Sequence, residues 1–596
     1  MPVNSINLKK KDEERIEPGS NKSARNAIDA AAPLGMGATD VLGRIATSIF
    51  RCEASAPVFS SCKDVSNGGV LLALPALLAV GLLTQTEKYF QLVRGFYRLD
   101  SIFLLLAFMA LVRLKTVEGL RYCSPGEWGK LFGMDRIPEA KTLREKIHFL
   151  SHEGKSSEWS GDLCRDWMAM EPESSGTLYI DGHVRVYNGK QTALPRHYVS
   201  RQKLCQRATV DYWVNAMDGQ PFFVINKAVD PGLLQVLENE IVPRLEHDVP
   251  AQPHVFPADE SPWAHRFILI FDREGYSPDF AQRMRGKRIA CLTYNKFPAA
   301  DWPVEEFQIK VVTLQAGNVV QMQLAERGIF WGRKIWAREI RKLTESGHQT
   351  SIIATDYITD YDHLAATMFA RWSQENFFGY MRQHYNLDRL VDYSIEDIDE
   401  TTKVVNPQYR KLDGEVRRDV SRLNRKQKEF GALLLSETIE PEPVETYQQS
   451  KAKLQEEIGV LQKIVTERKI ERKATPKHVT MGELSAEERF KQLGTKGKYF
   501  IDTIKMIAYR AETAMAGIVR ETMSRHNDAR NLLRAIYATE ADIVPDEAAG
   551  TLTVRLHQLA NRSSSETIRH LCNELNATMT KFPGTNMLLI YELVSQ

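Results

Sequence analysis

Three carboxylates sit where their chemistry needs explaining. Asp181 lies inside Thr177-Leu-Tyr-Ile-Asp-Gly-His-Val-Arg-Val-Tyr187, Asp272 closes Arg266-Phe-Ile-Leu-Ile-Phe-Asp272, and Glu375 falls within Arg371-Trp-Ser-Gln-Glu-Asn-Phe-Phe-Gly-Tyr-Met-Arg382. A charge on an apolar strand is costly unless something pairs with it. If the two aspartate strands are neighbours, both carboxylates project at one sheet edge and can hold a hard divalent cation through oxygen, Mg2+ or Mn2+. Taken singly, each aspartate reads more plainly as a turn former at a strand end. A helix is predicted over His363 to Tyr385. At about 100° per residue it gathers Arg371, Glu375 and Arg382 on one face and Phe369, Trp372, Asn376 and Tyr380 on the adjoining one. An Arg-Glu surface pair is the bland alternative there. His183 reads as a packed strand histidine and is left out of the site.

The elements around these residues follow from periodicity. Period-2 alternation marks Thr177 to Tyr187 as a strand, Val210 to Lys227 as two strands around the Asp218-Gly219 turn, and Arg266 to Asp272 as a strand covered on both faces. A helix near Leu233 to Leu245, a helix from Pro278 to Met284 and a strand from Arg288 to Tyr294 complete a β-β-β-α-β-α-β order. That order is the requirement of an RNase H-like α/β domain, placed at residues 170–400. Strand-like segments with Trp302, Trp331 and Trp336 predict a β-rich insertion at about 297–360, where an exposed indole would offer a stacking platform for a base and buried ones would be core.

The flanks differ. Residues 1–65 are polar and read as a flexible arm with room for one short helix. Residues 66–160 are helical: Ser124-Pro125-Gly126-Glu127 has capping-box order, and a second helix from Lys141 would present Arg144 and Lys146 to DNA in the manner of a helix-turn-helix, unless the region is a plain bundle. Apolar residues at spacings of three and four predict a helical hairpin or coiled coil at 405–475, split by Pro441 and Pro443. Residues 480–596 read as a helical C-terminal domain, with strands at Thr551 to Leu556 and Met587 to Leu593. The expected fold class is therefore multidomain α+β, an RNase H-like core between helical regions.

Composition narrows the partners. Lys and Arg number 78 against 76 Asp and Glu, a net charge of +2, so any nucleic-acid signal is local. Between Asp181 and Val210 six basic residues, among them Arg185, Arg201 and Lys203, face one acid. That segment is either a solvated face or a DNA surface. Seven scattered cysteines lack zinc spacing and suit a reduced cytoplasm. The apolar runs at Gly69 to Leu83 and Ile102 to Val112 fall short of the roughly 18 residues a membrane span requires, and no secretory signal is visible. No GxxxxGK[ST], HExxH or GxSxG motif is present.

Arg371-x3-Glu375-x6-Arg382 resembles the Tyr-x2-Arg-x3-Glu-x6-Lys signature of a large group of bacterial insertion-sequence DDE transposases. Met368 stands in place of its tyrosine and Arg382 in place of its lysine. The strand contexts of both aspartates and a β-rich insertion before the glutamate helix are similar, over about residues 100 to 400. The resemblance implies a two-metal mechanism, with Asp181 bridging two Mg2+ (or Mn2+) ions and Asp272 and Glu375 each helping to hold one. It implies phosphate contacts from Arg371 and Arg382, and DNA contacts from Arg144, Lys146, Arg185, Arg201 and Lys203. The implied partners are double-stranded DNA, both terminal repeats and target, and further copies of the chain in a homodimer or larger synaptic complex. The implied location is the bacterial cytoplasm, at the nucleoid when bound. Alternatives are an RNase H-like nuclease or resolvase without strand transfer, and an inactive transposase-derived DNA-binding protein. All three acids are present, which favours activity.

Overall fold

The alternation beginning at Thr177 gives the strand Thr177–Val186 in the computed structural model of this chain. The structure describes residues 41–49, 54–93, 95–189, 194–199, 202–249, 261, 263–313, 319–389, 395–433, 441–559 and 562–594. Thr177–Val186 pairs antiparallel with Leu204–Asn215, and that strand pairs antiparallel with Pro221–Lys227 across the Asp218-Gly219 turn. On its other edge Thr177–Val186 runs parallel to Phe267–Phe271, which runs parallel to Ile289–Tyr294. Parallel neighbours need crossover connections. The helical segment from Leu233 to Asp248 and the helix Pro278–Gly286 lie in those connections.

The β-rich insertion does not stand apart from this sheet. Gln308–Thr313, Val319–Trp331, Ile335–Leu343 and Gln349–Ala354 form an antiparallel meander, and its last strand adds to Ile289–Tyr294. The result is one ten-stranded sheet.

Because successive strand residues face opposite ways, the sheet carries two apolar layers. On one face Leu178, Ile180, Val214, Phe223 and Phe271 join a core with Phe103, Trp159 and Phe500. The rings of Phe90, Phe103, Trp159 and Phe500 meet edge to face at 5.2 to 5.5 Å. Each buried aromatic contributes about 1.5–3 kcal/mol by leaving water. Lys496–Thr522 runs through this layer and packs on Leu99–Leu111, Ala140–Glu153, Ser156–Met170 and Pro221–Lys227. The helical regions on either side of the sheet thus share one core with it. On the other face Tyr179, Ile268, Ile270, Leu292 and Ile352 pack against Leu364 and Met368.

The helix beyond the sheet departs from expectation. The single helix expected over 363–385 is two, Tyr361–Phe369 and Trp372–Tyr385. Between them Ser373 N–H donates to Ala370 O and Gln374 N–H to Arg371 O, a tightened turn. The first helix packs Leu364 and Met368 beside Tyr179, whose hydroxyl donates to Thr367 O, and the second packs Phe377 on Trp213 and Phe378 on His183, on the same face of the sheet.

In the N-terminal region one short helix agrees with the reading of the arm, and a strand departs from it. Residues 1–40 lie outside the described residues, but Val41–Ser48 is a helix and Cys62–Val65 a strand paired with Ala541–Asp546. Thr551–Leu556 continues this second sheet, and Leu588–Leu593 joins it in parallel. Pro407–Ala432 and Pro441–Ala474 form the expected antiparallel hairpin, pinned by Asp413–Arg472, Asp419–Arg468 and Lys426–Glu457 ion pairs over buried Val416 and Val465. No described helix is long and apolar enough to cross a membrane.

Candidate active site

Register brings the two aspartates together. Ile180 is paired with Phe271, so Asp181 and Asp272 are the next positions on adjacent parallel strands, one strand spacing of about 4.8 Å apart. Asp272 caps the turn Arg273–Gly275, its Oδ1 accepting from Arg273 N–H at 2.6 Å. Thr293 Oγ1 donates to the Asp272 carbonyl at 3.3 Å. Asp181 Oδ1 accepts from Gly182 N–H at 2.9 Å. A side chain at Gly182 would crowd the Tyr212 ring, since a Cβ there would stand 3.0 Å from Cε1.

The electrostatics bind a wider set. Burial pushes the Asp181 carboxyl up, the Arg371 guanidinium draws it down, and Asp272 raises it again. The Tyr294 phenol is raised by burial; Arg371 lowers it, and Asp272 and Glu375 raise it. All three acids and Arg371 therefore share one neighbourhood. Two further acids belong to it that sequence reasoning missed. The Glu274 carboxyl is raised by burial and by Asp230, Asp181 and Asp272, with Lys296 opposing. Asp230 accepts from Tyr212 Oη at 2.6 Å and from Gly232 N–H at 2.8 Å.

Glu375 is exposed in the first turn of its helix, where backbone N–H groups favour a negative charge. Its neighbour Gln374 holds the turn in place. Gln374 is 1% exposed, and its Nε2 donates to Asn215 Oδ1 at 2.9 Å, Tyr179 O at 3.2 Å and Trp213 O at 3.4 Å. Ser373 Oγ donates to Met217 O at 2.9 Å, and Gly219, at φ +89°, lets the hairpin turn approach Ser373 O closely. Arg371 precedes this helix, and its Nη1 is buried with no hydrogen-bond partner.

Hard oxygen donors with excess negative charge fit a divalent cation. The oxygens of Asp181, Asp272 and Glu375 are more widely spread than a one-ion cage; among the described residues, groups with all ligand atoms within 4.8 Å of one another are Asp64–Glu540–His557 and Asp360–Asp362–His363. A set holding two ions about 3.5–4 Å apart must be wider than that cage.

The remaining sequence candidates disperse. Arg382, half-buried in the last turn, is two turns from Glu375, about 10 Å along the axis. Lys203 is exposed in a hairpin turn at φ +52°; Arg201 lies outside the described residues. Arg185 is not on a DNA-facing surface: it is 2% exposed and ion-paired to fully buried Asp211. Arg144 and Lys146 sit on Ala140–Glu153, where Arg144 pairs with Glu118 at 3.1 Å and burial draws the half-buried Lys146 ammonium down. His183 is buried, stacks on Phe378 and pairs with Asp388, so it is a packing residue. Trp302 and Trp331 are core, whereas Trp336 is 60% exposed beside Phe330.

No curated protein matches this chain. A family model described as "Transposase protein" matches residues 35–595, nearly the whole length. By that match the chain belongs to a family of transposases.

Proposed function

We propose that this transposase is of the DDE type, with an RNase H-like catalytic core that cuts transposon-end DNA and joins it to a target. The observation that carries the reading is the register that sets Asp181 beside Asp272, with Glu375 carried to the same edge on a helix docked through Gln374. The strand order Pro221–Lys227, Leu204–Asn215, Thr177–Val186, Phe267–Phe271, Ile289–Tyr294, three antiparallel and then two parallel, supports the core assignment.

Two divalent cations, Mg2+ or Mn2+, would supply an activated water or 3′-hydroxyl and a stabilised leaving oxygen. Asp181 would hold both, while Asp272 and Glu375 would each hold one. Arg371 offsets part of the acid charge from a fixed position. Arg382 and Lys203, with solvent access, would contact phosphate.

Glu375→Gln preserves shape and removes a charge. On transposon-end DNA with Mg2+, the variant should lose cleavage and strand transfer together by several orders of magnitude and keep DNA binding. Undiminished cleavage would refute the assignment. Parent protein that cleaves but never joins would indicate a nuclease, and parent protein that does neither an inactive DNA-binding derivative.

A further inference from the structure

A cavity of about 380 Å³ lies away from the acidic edge, where Leu99–Leu111, Ala140–Glu153, Lys496–Thr522 and the end of Trp372–Tyr385 meet. Tyr385, on its wall, is ten residues beyond Glu375, about 15 Å along the helix. The aliphatic part of the wall is formed by Leu106, Met109, Ala110, Ile147, Ile501 and Ile504, and the rings of His148, His384 and Tyr385 complete it. Set into it are four basic side chains, Lys115, Arg144, Arg389 and Lys505, against one acid, Glu118. Glu118 is already engaged by Arg121 at 2.9 Å and by Arg144 at 3.1 Å.

Lys505 is the informative member. It is 9% exposed, yet the hydrogen bond its Nζ makes is a long one, 3.3 Å to Asn386 O. The acids nearest to it are committed elsewhere, Asp502 to Lys498 and Asp388 to His183. Burial, with Lys498 nearby, pulls the Lys505 ammonium down to about 7, so an anion seated beside it would favour the charged form, and the apolar chamber there has room for a counter-ion that brings its own apolar body.

We propose that this cavity binds a small amphipathic anion, an aliphatic chain on the Leu106–Ile504 wall with a carboxylate or phosphate head between Lys505 and Arg389. An aliphatic wall selects a chain over a planar base, and the basic set selects an anion over a neutral head. Such a ligand would bridge the N-terminal helices, the C-terminal helix and the helix that carries Glu375. This binding does not depend on the DDE reading.

The test uses the full chain without DNA, in calorimetry and thermal unfolding. Decanoate and decyl phosphate separate a carboxylate source from a phosphate source; decanol supplies the body alone and inorganic phosphate the head alone. Either anionic chain should bind at least about tenfold more tightly than decanol or phosphate and raise the Tm. Lys505→Met and Arg389→Glu should each weaken the anions about tenfold and leave decanol unchanged. Ala110→Phe should block all of them; should that variant not fold, the two charge variants decide. Decanol binding as well as decanoate, AMP binding more tightly than either chain, or anion affinity unchanged in both charge variants would overturn the proposal.

Discussion

Gln374 should control catalysis without touching DNA. Its amide has two N–H groups shared among three buried acceptors, Asn215 Oδ1, Tyr179 O and Trp213 O, so it counts as two hydrogen bonds at about 1 kcal/mol each. Gln374→Leu fills the same space and removes both. It strands Asn215 Oδ1, a further penalty of about 1–3 kcal/mol, but it also deletes Gln374 Oε1, which is buried and unpaired already. The net loss should be about 2–3 kcal/mol, read by urea unfolding. The functional effect follows from position, because Gln374 is the tie between the first turn of the Glu375 helix and the two strands behind Asp181. A shift of about 1 Å at that turn is worth on the order of 100-fold in rate. Cleavage kcat should fall by that factor, with the KM for DNA little changed and the Mg2+ requirement raised. Gln374→Leu that is destabilised as expected but cleaves within twofold of the parent at the same Mg2+ would refute this reasoning.

Other expectations concern charge. Because the Asp181 carboxyl is raised in the folded chain, its stabilising contribution is present at low pH and lost as pH rises through the folded value. Above that pH Asp181→Asn should melt higher than the parent in EDTA, and Mg2+ should raise the Tm of the parent alone; equal Mg2+ responses would exclude Asp181 as a ligand. Arg185→Met leaves Asp211 buried and uncompensated and should lower stability by about 3–5 kcal/mol, with recovery when Asp211 is also made Leu. Its DNA-binding salt slope should match the parent, and a changed slope would return Arg185 to the DNA surface. Lys203→Ala should reduce that slope by about one without affecting stability, as filter binding across salt concentrations would show.

Much of the site was legible because strands announce themselves locally. Val, Ile and Phe runs marked Thr177–Val186 and Phe267–Phe271, and strand order implied which edge their acids share. The break at Ala370–Arg371 was not legible, since neither residue opposes a helix; it lets one helix pack beside Tyr179 and the next on Trp213 and His183, contacts that come from separate strands. Arg185 was misread for a related reason. It alternates with Asp181 and His183 on the same strand, and only the arrival of Lys498 and Asp502, some 300 residues on, closes that end of the face. Cys62–Val65 likewise acquires meaning only from its partner near residue 541. Gln374 looked like any polar residue beside a candidate glutamate. Its role depends on three acceptors brought from separate strand positions.

The placement of Arg371 connects the helix break to the chemistry. Carboxylates at neighbouring strand positions repel, by about 3 kcal/mol for a separation of about 5 Å at an effective dielectric constant of 20, and Glu274 and Asp230 add to the negative field around Asp181 and Asp272. A fold that selected for stability alone would disperse these groups. Instead the chain breaks its helix where Arg371 can lie beside them, with one guanidinium nitrogen buried and bonded to nothing. One fixed positive charge cannot neutralise this many acids, so it reduces the repulsion without removing the demand for cations. A further arginine or lysine beside Arg371 and Lys296 would offset more of the acid charge and weaken the case for a metal. Arg371 thus eases the repulsion in the empty arrangement, and on the DDE reading proposed above the charge that remains would draw a divalent cation to the edge where Asp181 meets Asp272.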